Sequence, residues 1–167
     1  FIVEVSGTNG KTYYNGTLAD MPEILSLPVA TGYTVTVHSA ENPAAAWESP
    51  YYEGTQTFDI AENEVTYIDP VVCRLANVKV TIKFDNDLLP YMEEDCKVTV
   101  VTGSGASLVF GKDETRPGFF KYEEADGEAT LVATFTGTVD ENYENNFRTY
   151  TRVAPGNHYI ITYRLHG

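Results

Sequence analysis

The 167 residues carry 11 Lys and Arg against 24 Asp and Glu, a formal charge of −13, and such a surface repels both nucleic-acid phosphates and anionic membranes. Twelve Tyr, eight Phe and abundant Val and Thr give a β-type composition with ample core material, and the length suits two small domains or one larger one. No window of eleven residues keeps a helical apolar period free of Gly or Pro, so helix is confined to a turn or two, with residues 43–47 and 88–95 as the candidates.

The chain begins at Phe1 without Met, signal-like segment or transmembrane run, as expected of a mature or excised piece whose export signal or lipid anchor lies elsewhere. Residues 1–5 alternate and run into Asn9-Gly10, a strong two-residue hairpin signal. A return strand at residues 12–14 and a second turn at Asn15-Gly16 are expected next. Residues 33–39 alternate again, which predicts Tyr33, Val35 and Val37 inward and Thr34, Thr36 and His38 outward. Residues 41–54 lack strand periodicity and read as a loop bearing Trp47, Tyr51 and Tyr52. Strands at residues 57–60 and 65–72, joined by an Ala-Glu-Asn-Glu turn, complete the first half.

The organising stretch is residues 71–84. Val71, Cys73 and Leu75 are odd-numbered, whereas Val78, Val80, Ile82 and Phe84 are even-numbered, so a break near Ala76-Asn77 is needed for both sets to be buried. Two sandwiches follow from this switch of parity, residues 1–72 and residues 73–167. The first part holds ten acids and the single base Lys11, a net −9, and the second has a net −4.

Beyond the switch, residues 78–84 are expected to turn at 86–90 and pair with residues 96–102, which would hold Cys96 far from Cys73 and leave both thiols unbridged. Strands at 107–110, 119–122 and 130–138, a polar loop at 140–146, and a closing hairpin of 147–154 with 158–165 around Pro155-Gly156 complete the chain. Many short strands divided by Gly, Asn and Pro turns read as an all-β sandwich architecture. A weak internal echo places Val-Ala-X-Gly ahead of a Tyr-led strand at residues 29–33 and 153–159.

Catalytic constellations are weak. Gly103-Ser-Gly-Ala-Ser lacks the spacing of a nucleophile elbow and reads as a turn. His38, His158 and His166 have no metal-type spacing with each other or with the cysteines. Asp85-Asn86-Asp87 with Glu93 to Asp95 offers oxygen ligands but not the Gly and terminal Glu of a calcium loop, and a solvated connection explains it better. No enzyme activity, cofactor or metal is expected. Trp47, Tyr51 and Tyr52 are the candidate ligand-binding residues, because flat aromatic faces stack on sugar rings; the competing reading is that they plug the end of the core.

The runs Ile24-Leu-Ser-Leu-Pro-Val-Ala-Thr-Gly-Tyr-Thr-Val-Thr-Val, Ala46-Trp-Glu-Ser-Pro-Tyr-Tyr-Glu-Gly and Cys73-Arg-Leu-Ala-Asn-Val-Lys-Val resemble a domain family of Bacteroidetes surface lipoproteins related to the fimbrillins. The resemblance implies two tandem transthyretin-like β-sandwiches of Ig-like topology class. It also implies export to the outer membrane and cell surface, attachment only through a lipid anchor outside this chain, and a part in a fimbrium or in adhesion. The chain lacks a removable first strand ending at an Arg, so an accessory, anchor or tip component fits better than a repeating shaft subunit. The expected partner is a cell-surface protein, either a fimbrial subunit or a host protein; the alternative is a glycan, in an outer-membrane polysaccharide-utilisation system. If the chain self-associates, the charge asymmetry predicts a weak, salt-sensitive, head-to-tail contact.

Overall fold

A computed structural model describes residues 1–166. The protein is all-β, with thirteen strands and a single 3-10 turn at Leu89–Tyr91 among the described residues. It divides into two units. The first is Phe1–Glu41 with Tyr51–Leu75, and the second is Asn42–Pro50 with the chain from Ala76 onward. Residues 42–50, expected in the first sandwich, therefore belong to the second unit, and Cys73 to Leu75, expected in the second, belong to the first.

The first unit is built on a five-stranded sheet of β1 (Ile2–Ser6), β2 (Thr12–Thr17), β3 (Ala30–His38), β5 (Tyr52–Ile60) and β6 (Arg74–Leu75), in the order β2-β1-β3-β5-β6. The Asn9-Gly10 hairpin forms: Gly10 has φ 77° and the Asn9 carboxamide accepts from the Lys11 backbone N–H at 3.0 Å. Asn15-Gly16 does not turn. Both residues lie inside β2, paired with Glu4 and Val3, because the β1 ladder holds them extended.

Odd-numbered Val3, Val5 and Val35 form the buried face, with Tyr13, Tyr14, Met21, Leu25, Leu27, Val37, Phe58 and Val71 packed on them. Tyr33, also buried, stacks on Phe58 with ring centroids 5.4 Å apart and donates its hydroxyl to the Pro28 carbonyl at 2.6 Å. Cover for this face comes from two irregular stretches, Met21, Leu25 and Leu27 from one and Val71 from the other. The strand expected at 65–72 is absent: residues 61–70 are all exposed, and only Val71 and Val72 lie over the sheet face, where a Cβ added at Gly54 would meet the Val72 carbonyl. Pro70 also has no N–H to give to a ladder.

The second unit is a sandwich of two four-stranded sheets. One has the order β13-β7-β10-β4, with β4 (Ala45–Trp47), β7 (Val78–Phe84), β10 (Gly118–Phe120) and β13 (His158–Tyr163). The other has the order β12-β11-β8-β9, with β8 (Lys97–Thr102), β9 (Ser107–Gly111), β11 (Leu131–Val139) and β12 (Asn142–Tyr150). Val78, Val80 and Ile82 of β7 are buried as their alternation predicts, and they share the core with Val98, Val100, Phe110, Phe120, Leu131, Ala133 and Phe135.

Two expected pairings in this unit are replaced. Instead of returning on residues 96–102, β7 lies between β10 and a parallel β13, while β8 pairs with β9 and β11. The closing hairpin is absent, since β12 and β13 belong to different sheets and the link between them tucks buried Val153 into the core. The polar loop expected at 140–146 is a tight turn at Asp140-Glu141, with φ 47° and 65°, leading into the nine-residue β12. Positive φ at both central positions is the type I′ pattern that matches strand twist. Residues 43–47, a helix candidate, instead supply β4, whose Trp47 pairs with Gly118. In the internal echo, Val29 is exposed and Val153 buried, so the two sites do not serve equivalent roles.

Both cysteines are free and sit in different units. The Cys73 thiol donates to the Val37 carbonyl at 3.7 Å, and that of buried Cys96 to the Thr138 carbonyl at 3.2 Å. Desolvation pushes the Cys96 thiol above its ordinary pKa.

Candidate functional site

Of the aromatic trio, Trp47 belongs to the second unit and Tyr51 and Tyr52 to the first. Trp47 is a half-buried wedge of the second unit, its ring meeting Phe110 edge-on at 4.7 Å. The Arg116 guanidinium lies over the indole at 4.9 Å, held there by a two-pronged ion pair with Glu114 at 3.0 Å on both prongs. That pairing lowers the Glu114 pKa and raises that of Arg116. Stacking a sugar on the covered indole face requires displacing Arg116.

Tyr51 and Tyr52 belong to the first unit. The Tyr51 hydroxyl donates to Glu53 at 3.1 Å, and desolvation, then that hydrogen bond, pushes its pKa up to about 12. Tyr52 lies on β5 opposite Leu75, and its backbone N–H donates to the Ser39 hydroxyl at 2.9 Å.

The acidic stretch at 85–95 is similarly occupied. Asp95 accepts from the Thr138 backbone N–H and hydroxyl, each at 2.9 Å, which lowers its pKa. Glu94 faces Lys112 at 3.4 Å. Among the described residues no three His, Cys, Asp or Glu side chains gather as metal ligands.

The second unit holds a groove of about 320 Å³ at the seam where the two sheets end in β12 and β13. That volume lies at the lower end of small-ligand sites. Leu88, Phe135, Val139 and Tyr163 supply its apolar lining, while Glu144, Asn146, Arg164 and His166 are its polar groups. The floor is an aromatic cluster in which Phe135 lies 5.4 Å from Tyr163 and 6.4 Å from Phe84. Burial, with neighbouring Tyr150, pushes the Tyr163 phenol up to about 12.

The composition of β12 explains why this seam stays open. Its register with β11 sets Glu144, Asn146 and Arg148 opposite Gly137, Phe135 and Ala133, so the face that should continue the core is polar. The other face exposes Tyr143 and Phe147 at 67% and 73%. Backbone pairing can hold such a strand on β11, but it brings no apolar cover of its own. At the far end Tyr150 meets Tyr159 edge-on at 5.8 Å and closes the gap.

The result is an apolar trough flanked by two edge strands, each with one unpaired row of backbone donors and acceptors. Chemically it can seat alternate apolar side chains of an extended segment and bond that segment's backbone. Sequence reasoning missed it because β12 read partly as loop. The available signal was the polar set Asn142, Glu144, Asn146 and Arg148 at alternate positions after a strongly apolar strand.

A family model described as a domain of unknown function, DUF4493, matches residues 1–167. No curated protein matches the chain.

Proposed function

Given that the chain belongs to the DUF4493 family, we propose that it is a non-enzymatic cell-surface module, fimbrillin-like in its adhesive or anchoring role. In this reading it docks an extended segment of a partner protein into the seam between β12 and β13. The observation that carries the reading is the coincidence of two edge strands with an apolar trough lined by Phe135, Tyr163 and Leu88. Strand addition uses these two elements together, backbone bonds for affinity and pockets for alternate side chains. The module acts at the outer membrane, held by a lipid anchor outside residues 1–167, and its partner is a fimbrial subunit or a host surface protein.

The test is an array of extended decapeptides alternating apolar and polar residues, probed with the whole chain and with Asn146→Trp. Position 146 is exposed on β12 and lines the trough, so an indole there fills it with little effect on the core. Capture of alternating peptides, lost in the variant, supports the reading. Equal capture by both proteins contradicts it. A second reading, glycan binding, rests on the partly exposed Tyr163 ring beside Glu144 and Asn146, and a saccharide array probed in parallel separates the two.

A further inference from the structure

The strand β12 presents two faces, and the groove takes only one of them. Glu144, Asn146 and Arg148 stand on the inner side, so by strand alternation Tyr143, Asn145, Phe147 and Thr149 point outward. Both outward rings are held largely in solvent. On β11 the buried set is Leu131, Ala133 and Phe135, and on β8 it is Val98 and Val100, which turns Val132, Thr134, Thr136, Thr99 and Val101 to that same outer side. Phe147 stands opposite Thr134, Thr134 opposite Thr99, and Thr99 opposite Val109, which is itself exposed. In the neighbouring rows Thr149 faces Val132 and Val132 faces Val101, while Asn145 faces Thr136. Directly opposed side chains lie about 5 Å apart, so these residues form one continuous face of the four-stranded sheet.

The chemistry of this face sets it apart from the rest of the surface. In a chain of net charge −13, Lys97 is the only charged side chain on these rows. Asp95, at their border, is held by the Thr138 backbone N–H and hydroxyl. Two aromatic rings, a carboxamide and a bed of Thr and Val remain. Tyr143 and Phe147 are four residues apart on one strand, about 13 Å, so a chain of rings engages them through separate units. Asn145 between them and Thr134 and Thr136 beside them offer donors and acceptors to hydroxyl groups. A second copy of the chain fits poorly: the face measures about 20 Å along the strands and about 15 Å across them, roughly 300 Å², against the roughly 800 Å² per partner of a stable interface.

We propose that the outer face of the β12-β11-β8-β9 sheet binds a neutral polysaccharide with a flat, extended backbone, of the cellulose or mannan type, laid along β12. Tyr143 and Phe147 stack on the apolar faces of two of its sugars, and Asn145, Thr134 and Thr136 bond its hydroxyls. The site lies on the opposite side of β12 from the seam and does not rest on the docking of a peptide there. Because neither side of the contact is charged, salt leaves the affinity nearly unchanged.

The experiment is titration calorimetry of the whole chain with cellohexaose, mannohexaose and the acidic hexagalacturonate. At least one of the two neutral sugars is expected to bind, with less than a twofold change in 0.5 M salt, and hexagalacturonate is expected to bind at least tenfold more weakly. Tyr143→Ala and Phe147→Ala truncate exposed rings and should each cost at least tenfold, whereas Phe147→Tyr, which keeps a flat ring, should stay within threefold. Asn146→Trp fills the groove on the other face and should leave the affinity unchanged.

Binding of neither neutral hexaose overturns the proposal, as does equal binding by the two alanine variants or a preference for hexagalacturonate. Loss of binding in Asn146→Trp moves the sugar to the groove and overturns it as well. So does a dimer in light scattering that Phe147→Ala abolishes, since the face would then be an interface between copies. Failure of the decapeptide array bears only on the seam and leaves this site standing.

Discussion

Replacing Trp47 by Ala tests whether this ring is a core wedge or a ligand platform. A Trp side chain offers about 200 Å² for burial, and with Trp47 half-buried roughly 120 Å² is covered, which at about 25 cal/mol per Å² corresponds to about 3 kcal/mol. The edge contact with Phe110 adds about 0.5 to 1.5 kcal/mol, and relaxation of a partly exposed site takes some of this back. The expected cost is about 3 kcal/mol, in line with large-to-small changes at packed aromatics. Because β4 belongs to the second unit, the loss should appear in peptides of β8 and β11, whose amides should exchange about a hundredfold faster in native-state hydrogen exchange. Peptides of β1 and β3 provide the comparison. A cost under 1 kcal/mol would refute the packing argument, and an equal loss of protection in β1 and β3 would refute the assignment of residues 42–50.

Four further outcomes follow from single features. Gly137→Ala should destabilise the second unit by about 3 kcal/mol or more, because Gly137 has φ 144° and a Cβ there would stand 2.4 Å from the Cys96 Cα; Gly111→Ala, which meets nothing within 4 Å, is the control in urea unfolding. The Tyr163 phenol, raised to about 12, favours the folded state below pH 10 and loses that contribution as pH rises through about 12; after discounting for partial exposure the effect is about 1 kcal/mol, and Tyr163→Phe should remove it from alkaline unfolding curves. His158 has a lowered pKa, through desolvation and then Lys79 and Lys83, so its contribution is present above about pH 6.5 and lost as pH falls; a His158→Gln protein should show a shallower acid slope. A fragment of residues 76–167 lacks β4 and should lose exchange protection at Phe110 and Phe120, and a synthetic peptide of residues 42–50 should restore it.

Where alternation was strict, the residues specified their own facing. Val78, Val80 and Ile82 bury one side of β7, and Val3, Val5, Tyr33 and Val35 do so in the first unit. Partners were harder to read, because period-two alternation says which face is wet and nothing about which strand lies alongside. Hence the sequence suggests a hairpin of β7 with residues 96–102, while in the fold its neighbours are separated from it by more than thirty residues, at Gly118 and His158. Turn chemistry misled in both directions. Asn15-Gly16 carries a strong turn signal but is overruled by the β1 ladder, whereas Asp140-Glu141 has no Gly and turns at positive φ. Trp47 was legible as important but not as part of a strand donated to the other unit, since three residues show no periodicity. The groove was illegible for the same reason that it is open: Glu144, Asn146 and Arg148 stand where β12 would otherwise present apolar side chains to the core.

The measurement that bears most directly on the proposed docking seam is the exchange protection of β12 and β13 amides in the whole chain, with and without an alternating decapeptide captured on the array. Outward-facing amides of both edge strands are expected to exchange freely in the unbound protein and to become protected together on binding. No such protection is expected in Asn146→Trp. Protection confined to β4 or β9, the other two edges, or capture without any protected edge amide, would contradict it.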